Sequence, residues 1–311
     1  MTNGAAMRLA TPDDLPGLRA LAREALVYDA DAAAVVDLLW AAAADGCRVV
    51  AEDSGFALGS LRPARAGRPA TGHVDLLVVA ADRRGRGVGR ALLAEVEQRL
   101  IAAGAERLCI RGNPPAYAWP GIDIRYTPAT CLAESAGYER LPDTNSMLVD
   151  LSNPELETEA GEQRLADLGI EVRRGVPEDA EALRAWVAEE FGGSWPEECA
   201  MALRNGPPTV HVAVRNGEFL GFAAHGAQRV PVFGPMGTGA AARGLGIGAV
   251  LLRRCLADQR AAGVAMAEIG WVGPVRFYSR AVGARLGRVF RAYEKAVALQ
   301  AAAERLSGKR F

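Results

Sequence analysis

The chain has 311 residues, enough for two domains of ordinary size that each bury a core of their own. Half of the residues are hydrophobic, and the net charge of -1 excludes a generally basic, nucleic-acid-binding protein. Three histidines and five scattered cysteines without a C-x-x-C pair exclude the common zinc motifs, and no apolar run reaches membrane-spanning length. We therefore expect a cytoplasmic protein with reduced thiols that binds no metal, membrane or nucleic acid.

The first half reads, in chain order, as a strand, two helices, three strands, a helix, a strand, a helix and final strands. Thr11 before Pro12 is typical of a helix start, because threonine caps free N–H groups and proline has none to leave unpaired. Asp53-Ser54-Gly55 indicates a hairpin between two of the strands. The predicted bounds are strand 6–10, helices 13–26 and 31–46, strands 47–51, 57–61 and 76–79, a helix through 91–100, strand 105–111, helix 131–137 and strands within 138–151.

The second half repeats this order after a charged stretch, 152–169, that we interpret as a linker with a helical centre. Asn216-Gly217 is a strong hairpin signal between two of its strands. We therefore predict one domain over 1–151, a second over 170–300 and a tail over 301–311. The predicted elements are strand 171–174, helices 177–191 and 196–206, strands 209–214, 218–224 and 231–238, helix 249–263, strand 265–271, helix 275–281 and a closing strand within 284–299.

A glycine-rich turn, Arg84-Gly85-Arg86-Gly87-Val88-Gly89, joins the apolar strand of the first half to an amphipathic helix. This arrangement predicts an anion site, because free N–H groups point out of a first helical turn and glycine lets the backbone approach a phosphate. The turn lacks the Gly-Lys-Ser/Thr ending of a P-loop and the G-x-G-x-x-G spacing of a dinucleotide fold. Two interpretations remain, a plain surface turn and the pattern Arg/Gln-x-x-Gly-x-Gly/Ala.

The turn is repeated in the second half, and its flanks are repeated with it. Three landmarks recur in the same order, as expected for a duplicated domain rather than for two chance glycine turns. They are the helix starts Thr11-Pro12 and Val176-Pro177, the turns Arg84–Gly89 and Arg243–Gly248, and the later Gly137 and Gly283.

The paired turns resemble the acyl-CoA diphosphate loop of the GNAT N-acetyltransferases, in the tandem arrangement of that family. The resemblance covers the chain apart from the linker and the tail, and implies an α/β fold of two acyl-CoA N-acyltransferase domains, each with a mixed, twisted sheet. It further implies a splay between the fourth and fifth strands of each sheet, with acetyl-CoA bound there as cosubstrate. The coenzyme-binding residues that it implies are Val79, Arg84, Gly85, Arg86, Gly87, Val88, Gly89, Arg90, Thr238, Arg243, Gly244, Leu245, Gly246, Ile247 and Gly248.

The same resemblance implies a tyrosine that protonates the leaving thiolate, at the start of the helix after the fifth strand. Tyr278 stands at this place in the second half, either as that general acid or as a packed side chain. The comparable positions of the first half read Cys131-Leu132-Ala133, without a tyrosine, and Tyr126 lies nearby. We expect coenzyme binding in both halves and acetyl transfer in the second.

An attacking amine also needs a proton acceptor, and two strand carboxylates are candidates. Asp75 lies on the strand that leads to the first glycine turn, and Glu268 lies on the strand after the helix that follows the second turn. Each is either the proton acceptor or an ordinary acidic residue of a strand. Two aromatic loops are candidate walls of the acceptor pocket, since aromatic rings stack on sugar rings and a carboxylate can hold an ammonium group. Their candidate residues are Trp119, Asp123, Tyr126 and Trp271.

The leading hypothesis is an N-acetyltransferase that moves acetyl from acetyl-CoA to a primary amine. Both aromatic loops look similar to those of bacterial tandem acetyltransferases acting on glucosamine or glucosaminides, which makes an amino sugar the first acceptor to consider. The alternatives are a non-catalytic acyl-CoA-binding regulatory protein and a protein lysine or N-terminal acetyltransferase. We expect a monomer or a homodimer.

Overall fold

The computed structural model describes residues 6–52, 54–65, 67–152 and 156–297. They form two compact units, the first running through residue 144 and resuming at 289, the second spanning 145–288. The predicted tail, 301–311, and Asp53 of the predicted first hairpin lie outside the described residues. No helix in the described ranges is long and apolar enough to cross a membrane.

The first unit is a seven-stranded mixed sheet with helices on both faces. Its strand order is β1-β2-β3-β4-β5-β15-β7, and only the β4–β5 pair is parallel. The elements are β1 Met7–Leu9, α1 Leu15–Ala25, α2 Ala32–Ala42, β2 Arg48–Ala51, β3 Gly55–Arg62, β4 Thr71–Val79, α3 Val88–Ala102, β5 Arg107–Ile110, β6 Ile122–Asp123, α4 Thr127–Ser135, β7 Glu139–Arg140 and, from the end of the chain, β15 Tyr293–Ala296.

The second unit repeats the plan, with its strands in the order β14-β8-β13-β12-β11-β10-β9, and β6 pairs with Phe290 and Arg291 at the end of β14, which belong to the first unit. Its β12–β13 pair is the parallel one. The elements are β8 Thr144–Asp150, α5 Glu159–Ala166, β9 Glu171–Arg174, α6 Ala180–Glu190, α7 Trp195–Leu203, β10 Val210–Arg215, β11 Glu218–His225, β12 Val232–Thr238, α8 Ile247–Ala261, β13 Met266–Ile269, α9 Val275–Val282 and β14 Arg285–Arg291, whose last residues belong to the first unit.

The first helix of each unit begins in the same way, down to single hydrogen bonds. Asp14 accepts one from the backbone N–H three residues earlier at 2.7 Å and two from the Arg8 guanidinium. Asp179 accepts the equivalent bond at 2.9 Å and pairs with Arg173. A carboxylate that binds a free N–H at a helix start satisfies a donor that the helix leaves unpaired. The repeat inferred from the sequence therefore extends to the side-chain contacts.

Helices cover both faces of each sheet. In the first unit Leu92 and Val96 of α3 are fully buried on one face, and Val36 and Leu39 of α2 on the other. Each such side chain contributes about 1.5–3 kcal/mol by leaving water. The second unit places α8 and the pair α6–α7 in the same way. This layering keeps the ends of the central strands fixed.

The two compact units divide the chain differently from the predicted domains 1–151 and 170–300. β8 pairs with β13 of the second unit, whereas β15 pairs with β5 and β7 of the first. The predicted closing strand within 284–299 is therefore two strands, interrupted at Ala292, that belong to different sheets. Hydrophobic alternation predicts that a segment is a strand, but both sheets present equivalent open edges, so the pattern cannot say which edge it joins.

Candidate active site

Each sheet opens at the same place, between its two parallel central strands. In the described residues β4 pairs with β5 only over 71–73, although β4 continues to Val79. β12 pairs with β13 only at Val232 and Phe233 and then runs on to Thr238. The expected splay between fourth and fifth strands is therefore present in both units. It leaves backbone groups of the longer strand facing a cleft.

The glycine-rich turns lie at the open end of these clefts and have the same backbone in both units. Gly85 and Gly87 have φ values of 73° and 86°, and Gly244 and Gly246 have 85° and 86°. These left-handed conformations strain any residue with a Cβ. The last glycine of each pair is the N-cap of the following helix, α3 or α8.

The turns fit a diphosphate. An ideal Cβ built on Gly85, Gly87 or Gly244 would meet nothing within 4 Å, so the space above the backbone is open. The first-turn N–H groups of α3 and α8 point into this space, where the helix dipole favours negative charge. Among the predicted coenzyme residues, Gly89 and Gly248 have a different role. A Cβ on either would lie about 3.5 Å from the side chain of Val79 or Thr238, so these glycines let the helix approach the strand end.

The two turns differ in charge. The first carries exposed Arg84, Arg86 and Arg90, and the Nε of Arg84 donates to the Val79 carbonyl at 3.2 Å. In the second turn only Arg243 remains, because Leu245 and Ala249 occupy the positions equivalent to the other two arginines. The first turn can therefore donate charge-assisted hydrogen bonds to an anion from three arginines, whereas the second turn can donate them from one.

Tyr278 lies beside the second turn. It is the fourth residue of α9, is 7% exposed, and packs edge-to-face against Phe277 and Phe233. An ideal Cβ on Gly248 would lie 3.5 Å from the Phe277 ring, which brings the start of α9 next to the start of α8. Burial raises the pKa of Tyr278 to about 12, so its hydroxyl keeps its proton at neutral pH and can donate it.

In the first unit the positions comparable to Tyr278 hold Cys131, Leu132 and Ala133, and Leu132 makes with Gly89, at 3.4 Å from an ideal Cβ, the contact that Phe277 makes with Gly248. Tyr126 does not replace the missing hydroxyl there. It precedes α4, donates a hydrogen bond to Asp29 at 3.0 Å, and accepts one from the backbone N–H of Tyr28 at 3.1 Å. The Tyr126 hydroxyl is thus engaged with a carboxylate elsewhere in the unit.

Asp29, which the sequence analysis did not single out, contacts two of the predicted acceptor residues. It is 5% exposed and accepts hydrogen bonds from the indole Nε1 of Trp119 at 3.0 Å and from the Tyr126 hydroxyl. Asp123, in β6, is 3% exposed and pairs with Arg125 at 2.7 Å. Three of the predicted acceptor residues therefore belong to one aromatic and acidic cluster of the first unit. An acid between two short helices gives no sequence signal that distinguishes it from a helix cap.

Asp75 is the extra residue of a β-bulge, since Leu58 pairs with Leu76 and Gly59 with Val74. Burial raises the pKa of the Asp75 carboxyl group to about 7, although hydrogen bonds from Ser60 partly offset this effect by lowering the pKa. Its Oδ2 is buried and has no hydrogen-bond partner in the described part of the chain. A carboxyl group in this state can accept a proton near neutral pH.

Glu268, the other predicted base, is already engaged. Its carboxylate is buried and lies 3.1 Å from Nη1 of Arg288 and 3.8 Å from Nη1 of Arg229. Two guanidinium groups thus compensate the charge of the Glu268 carboxylate. Trp271, predicted to bind substrate, follows β13 with a φ of 51°, a left-handed conformation that is rare for a bulky residue. Within the described ranges, no group of three or more His, Cys, Asp or Glu side chains could hold a metal ion.

Residues 15–119 match the Acetyltransferase (GNAT) family. No curated protein matches the sequence significantly. Among solved structures, the chain is similar to the GCN5-related glucosamine N-acetyltransferase region of a fungal multi-domain GH3 β-N-acetylglucosaminidase, with a TM-score of 0.74 and 18% identity. The match covers 93% of this chain but only 38% of the fungal one.

Two further structures match over nearly their whole length. A GCN5-related N-acetyltransferase from Sphaerobacter thermophilus has a TM-score of 0.62 and 23% identity, with 94% of this chain and 95% of that chain covered. A tandem GNAT protein from the clavulanic acid biosynthesis pathway has a TM-score of 0.61 and 18% identity, with 94% and 97% covered. At these identities the likeness shows a shared fold.

Proposed function

We propose that the chain is a tandem GNAT N-acetyltransferase that moves acetyl from acetyl-CoA to a primary amine in its second unit; the support is the family match of residues 15–119 and the fold that both units share with GNAT structures. The observation that carries the proposal is the combination, in one unit, of a splayed sheet, an open glycine turn and a buried, protonated Tyr278 beside that turn. The first unit has the splay and the turn without the tyrosine.

In the proposed reaction a neutral amine attacks the thioester carbonyl carbon directly. A C–N bond forms, the C–S bond breaks, and the leaving sulfur takes the proton of the Tyr278 hydroxyl. The proton that the new amide nitrogen must lose passes to solvent and restores the tyrosine. Backbone N–H groups near Thr238, at the open edge of β12, would stabilise the oxyanion that forms on the carbonyl oxygen.

For the acceptor we propose an amino sugar. The support within the second unit is the loop after β13, where Trp271 precedes the helix of Tyr278 and brings an aromatic face that can stack on a sugar ring. The fungal region that this chain resembles is a glucosamine N-acetyltransferase. In the first unit, Asp29 and Asp123 are buried and already engaged with Trp119, Tyr126 and Arg125, so that cluster orders the aromatic loop of its own unit.

For the first unit we propose coenzyme binding without transfer. Cys131, Leu132 and Ala133 stand at the comparable positions without a tyrosine, and Tyr126 is engaged with Asp29. Asp75 gives this unit a proton acceptor but no matching acid. In this proposal the first unit binds acetyl-CoA without consuming it and supports or regulates the second unit. The non-catalytic regulatory role thus applies to the first unit alone.

The test is an acceptor panel with acetyl-CoA, comprising glucosamine, a β-glucosaminide, a lysine peptide and no amine. Release of free thiol and the mass of the acetylated product are followed together. We expect amine-dependent thiol release and an acetylated amino sugar. Product on the peptide alone would favour protein acetylation. Calorimetric binding of CoA without any product would favour the non-catalytic alternative and contradict the proposal.

A further inference from the structure

The helix predicted as part of a linker, α5, packs directly on α8 of the second unit. An ideal Cβ on Gly161 would lie 2.7 Å from Cγ2 of Val250, so only glycine allows this approach. Glu162 accepts a hydrogen bond from Nε of Arg254 at 2.7 Å, and Leu165 is completely buried. Three successive contacts therefore fix both the position and the rotation of α5.

This packing places Arg164 at the second glycine turn. An ideal Cβ on Gly246, the N-cap of α8, would lie 3.0 Å from Nη2 of Arg164. The side chain is exposed, and no described residue forms a hydrogen bond or an ion pair with it. An uncompensated guanidinium thus stands beside the N–H groups of the first helical turn, where the helix dipole already favours an anion.

The position of Arg164 corresponds to a smaller number of arginines in the second glycine turn itself. The first turn carries Arg86 and Arg90, whereas the second has Leu245 and Ala249 at those positions. Correspondingly, a Cβ on Gly87, the first-unit counterpart of Gly246, would meet nothing within 4 Å. The second turn has fewer cations in its own sequence than the first, and α5 brings one from outside the repeat.

We propose that Arg164 binds the coenzyme diphosphate in the second unit. The inference rests on the proposed function and adds a residue that lies outside the glycine-turn motif. A guanidinium presents N–H groups in a fork that matches two phosphate oxygens, and it stays charged at any relevant pH. The helix between the repeats is therefore part of a coenzyme site.

Isothermal titration calorimetry with CoA tests the proposal on the full chain, with Arg164→Gln and Arg164→Lys. Arg204→Gln is the matched control, because Arg204 is an exposed arginine of the same unit that lies after α7. We expect two sites in the wild type. In Arg164→Gln one site weakens by about ten- to a hundred-fold, as for loss of a charged hydrogen bond, and Arg164→Lys weakens it less. Thermal melts verify that each variant is folded.

Dephospho-CoA, which keeps the diphosphate but lacks the 3′-phosphate, shows which phosphate is bound. We expect the loss in Arg164→Gln to be equally large with this ligand, and a loss confined to CoA would overturn the assignment to the diphosphate. If Arg164→Gln and Arg204→Gln bind both ligands like the wild type, the inference is wrong while the proposed function stands. If the wild type binds neither ligand, the proposed function fails first.

Discussion

Asp75 and Glu268 are both strand carboxylates next to a splayed sheet, and their neighbours give them opposite chemical properties. Asp75 has one buried oxygen without a partner in the described residues, and burial raises its pKa to about 7. Glu268 lies between two buried arginines. Both residues lie on strands, as the sequence predicts, yet groups distant in sequence decide whether the carboxylate is paired, as Glu268 is, or keeps a buried oxygen without a partner in the described residues, as Asp75 does.

Asp75→Asn should make the protein more stable at pH 8 and leave its stability nearly unchanged at pH 4. The Asp75 carboxyl holds its proton more tightly in the folded chain, at a pKa of about 7, than in the unfolded chain, near 3.8. Stability is therefore lost as the pH rises from about 4 to about 7, and asparagine removes this loss. The gain is on the order of 2–4 kcal/mol above pH 7, measured by urea unfolding. An equal effect at both pH values would contradict the shifted pKa.

Tyr278→Phe should reduce kcat roughly 10²-fold or more and leave CoA affinity unchanged, because the phenol donates a proton only while the thiolate leaves. Tyr138→Phe is the matched control, since this tyrosine is also buried but lies in the core of the first unit. Steady-state kinetics and calorimetry on both variants separate catalysis from binding. If Tyr278→Phe keeps full activity, another group is the acid.

Some site residues could be predicted from the sequence and others could not, for a physical reason. The turns and Tyr278 are defined by local spacing, which the sequence contains directly. The candidates Asp29 and Arg164 are identified only by contacts with residues distant in the chain or on another helix, 90 positions away in the case of Asp29 and Trp119. Local patterns carry no information on such contacts.

At the scale of elements, the repeated turn and helix make a balanced experiment possible. Gly87→Glu and Gly246→Glu each place bulk and negative charge in a proposed diphosphate site, and each should remove one of two CoA sites. Only Gly246→Glu should abolish acetyl transfer. The measurements are the binding stoichiometry by calorimetry and the rate of thiol release.

The same two helices provide controls for backbone strain. Gly104 and Gly263 follow α3 and α8 with φ values of 100° and 83°, and their surroundings are open. Gly104→Glu and Gly263→Glu therefore carry a similar conformational cost without touching the turns, so CoA binding and activity should persist in both. Loss of activity in Gly87→Glu alone would reverse the roles assigned to the two units.

At the scale of the whole molecule, the order and type of most elements followed from periodicity and turn signals, whereas strand partners did not. The predicted linker contains α5, whose Leu165 is part of the second core, and the predicted closing strand divides between two sheets. In a duplicated fold both sheets offer the same kind of edge. Contacts between side chains that are distant from each other in the sequence then decide which strand a given strand pairs with.

Removal of β15 should therefore unfold the first unit, although the strand lies more than 180 residues after its partner β5. Tyr293 is completely buried in the core of the first unit, and its hydroxyl donates to Glu134 at 3.0 Å. Lys295 pairs with Glu97 at 2.8 Å. Loss of a buried aromatic side chain alone costs about 3–5 kcal/mol, a large part of the 5–15 kcal/mol that stabilises a typical domain.

A chain that ends at Arg291 lacks β15 but keeps β14, and a chain that ends at Val297 keeps both and serves as the control. Hydrogen exchange should show loss of protection in β3, β4 and β5 of the shorter chain, while α8 and β11 of the second unit stay protected, because all strands of that unit remain. CoA binding should fall by one site, and the second unit should keep its site. Equal protection of β5 in both chains would mean that β15 contributes little to the first unit, and that the predicted boundary at residue 151 describes an independently stable domain after all.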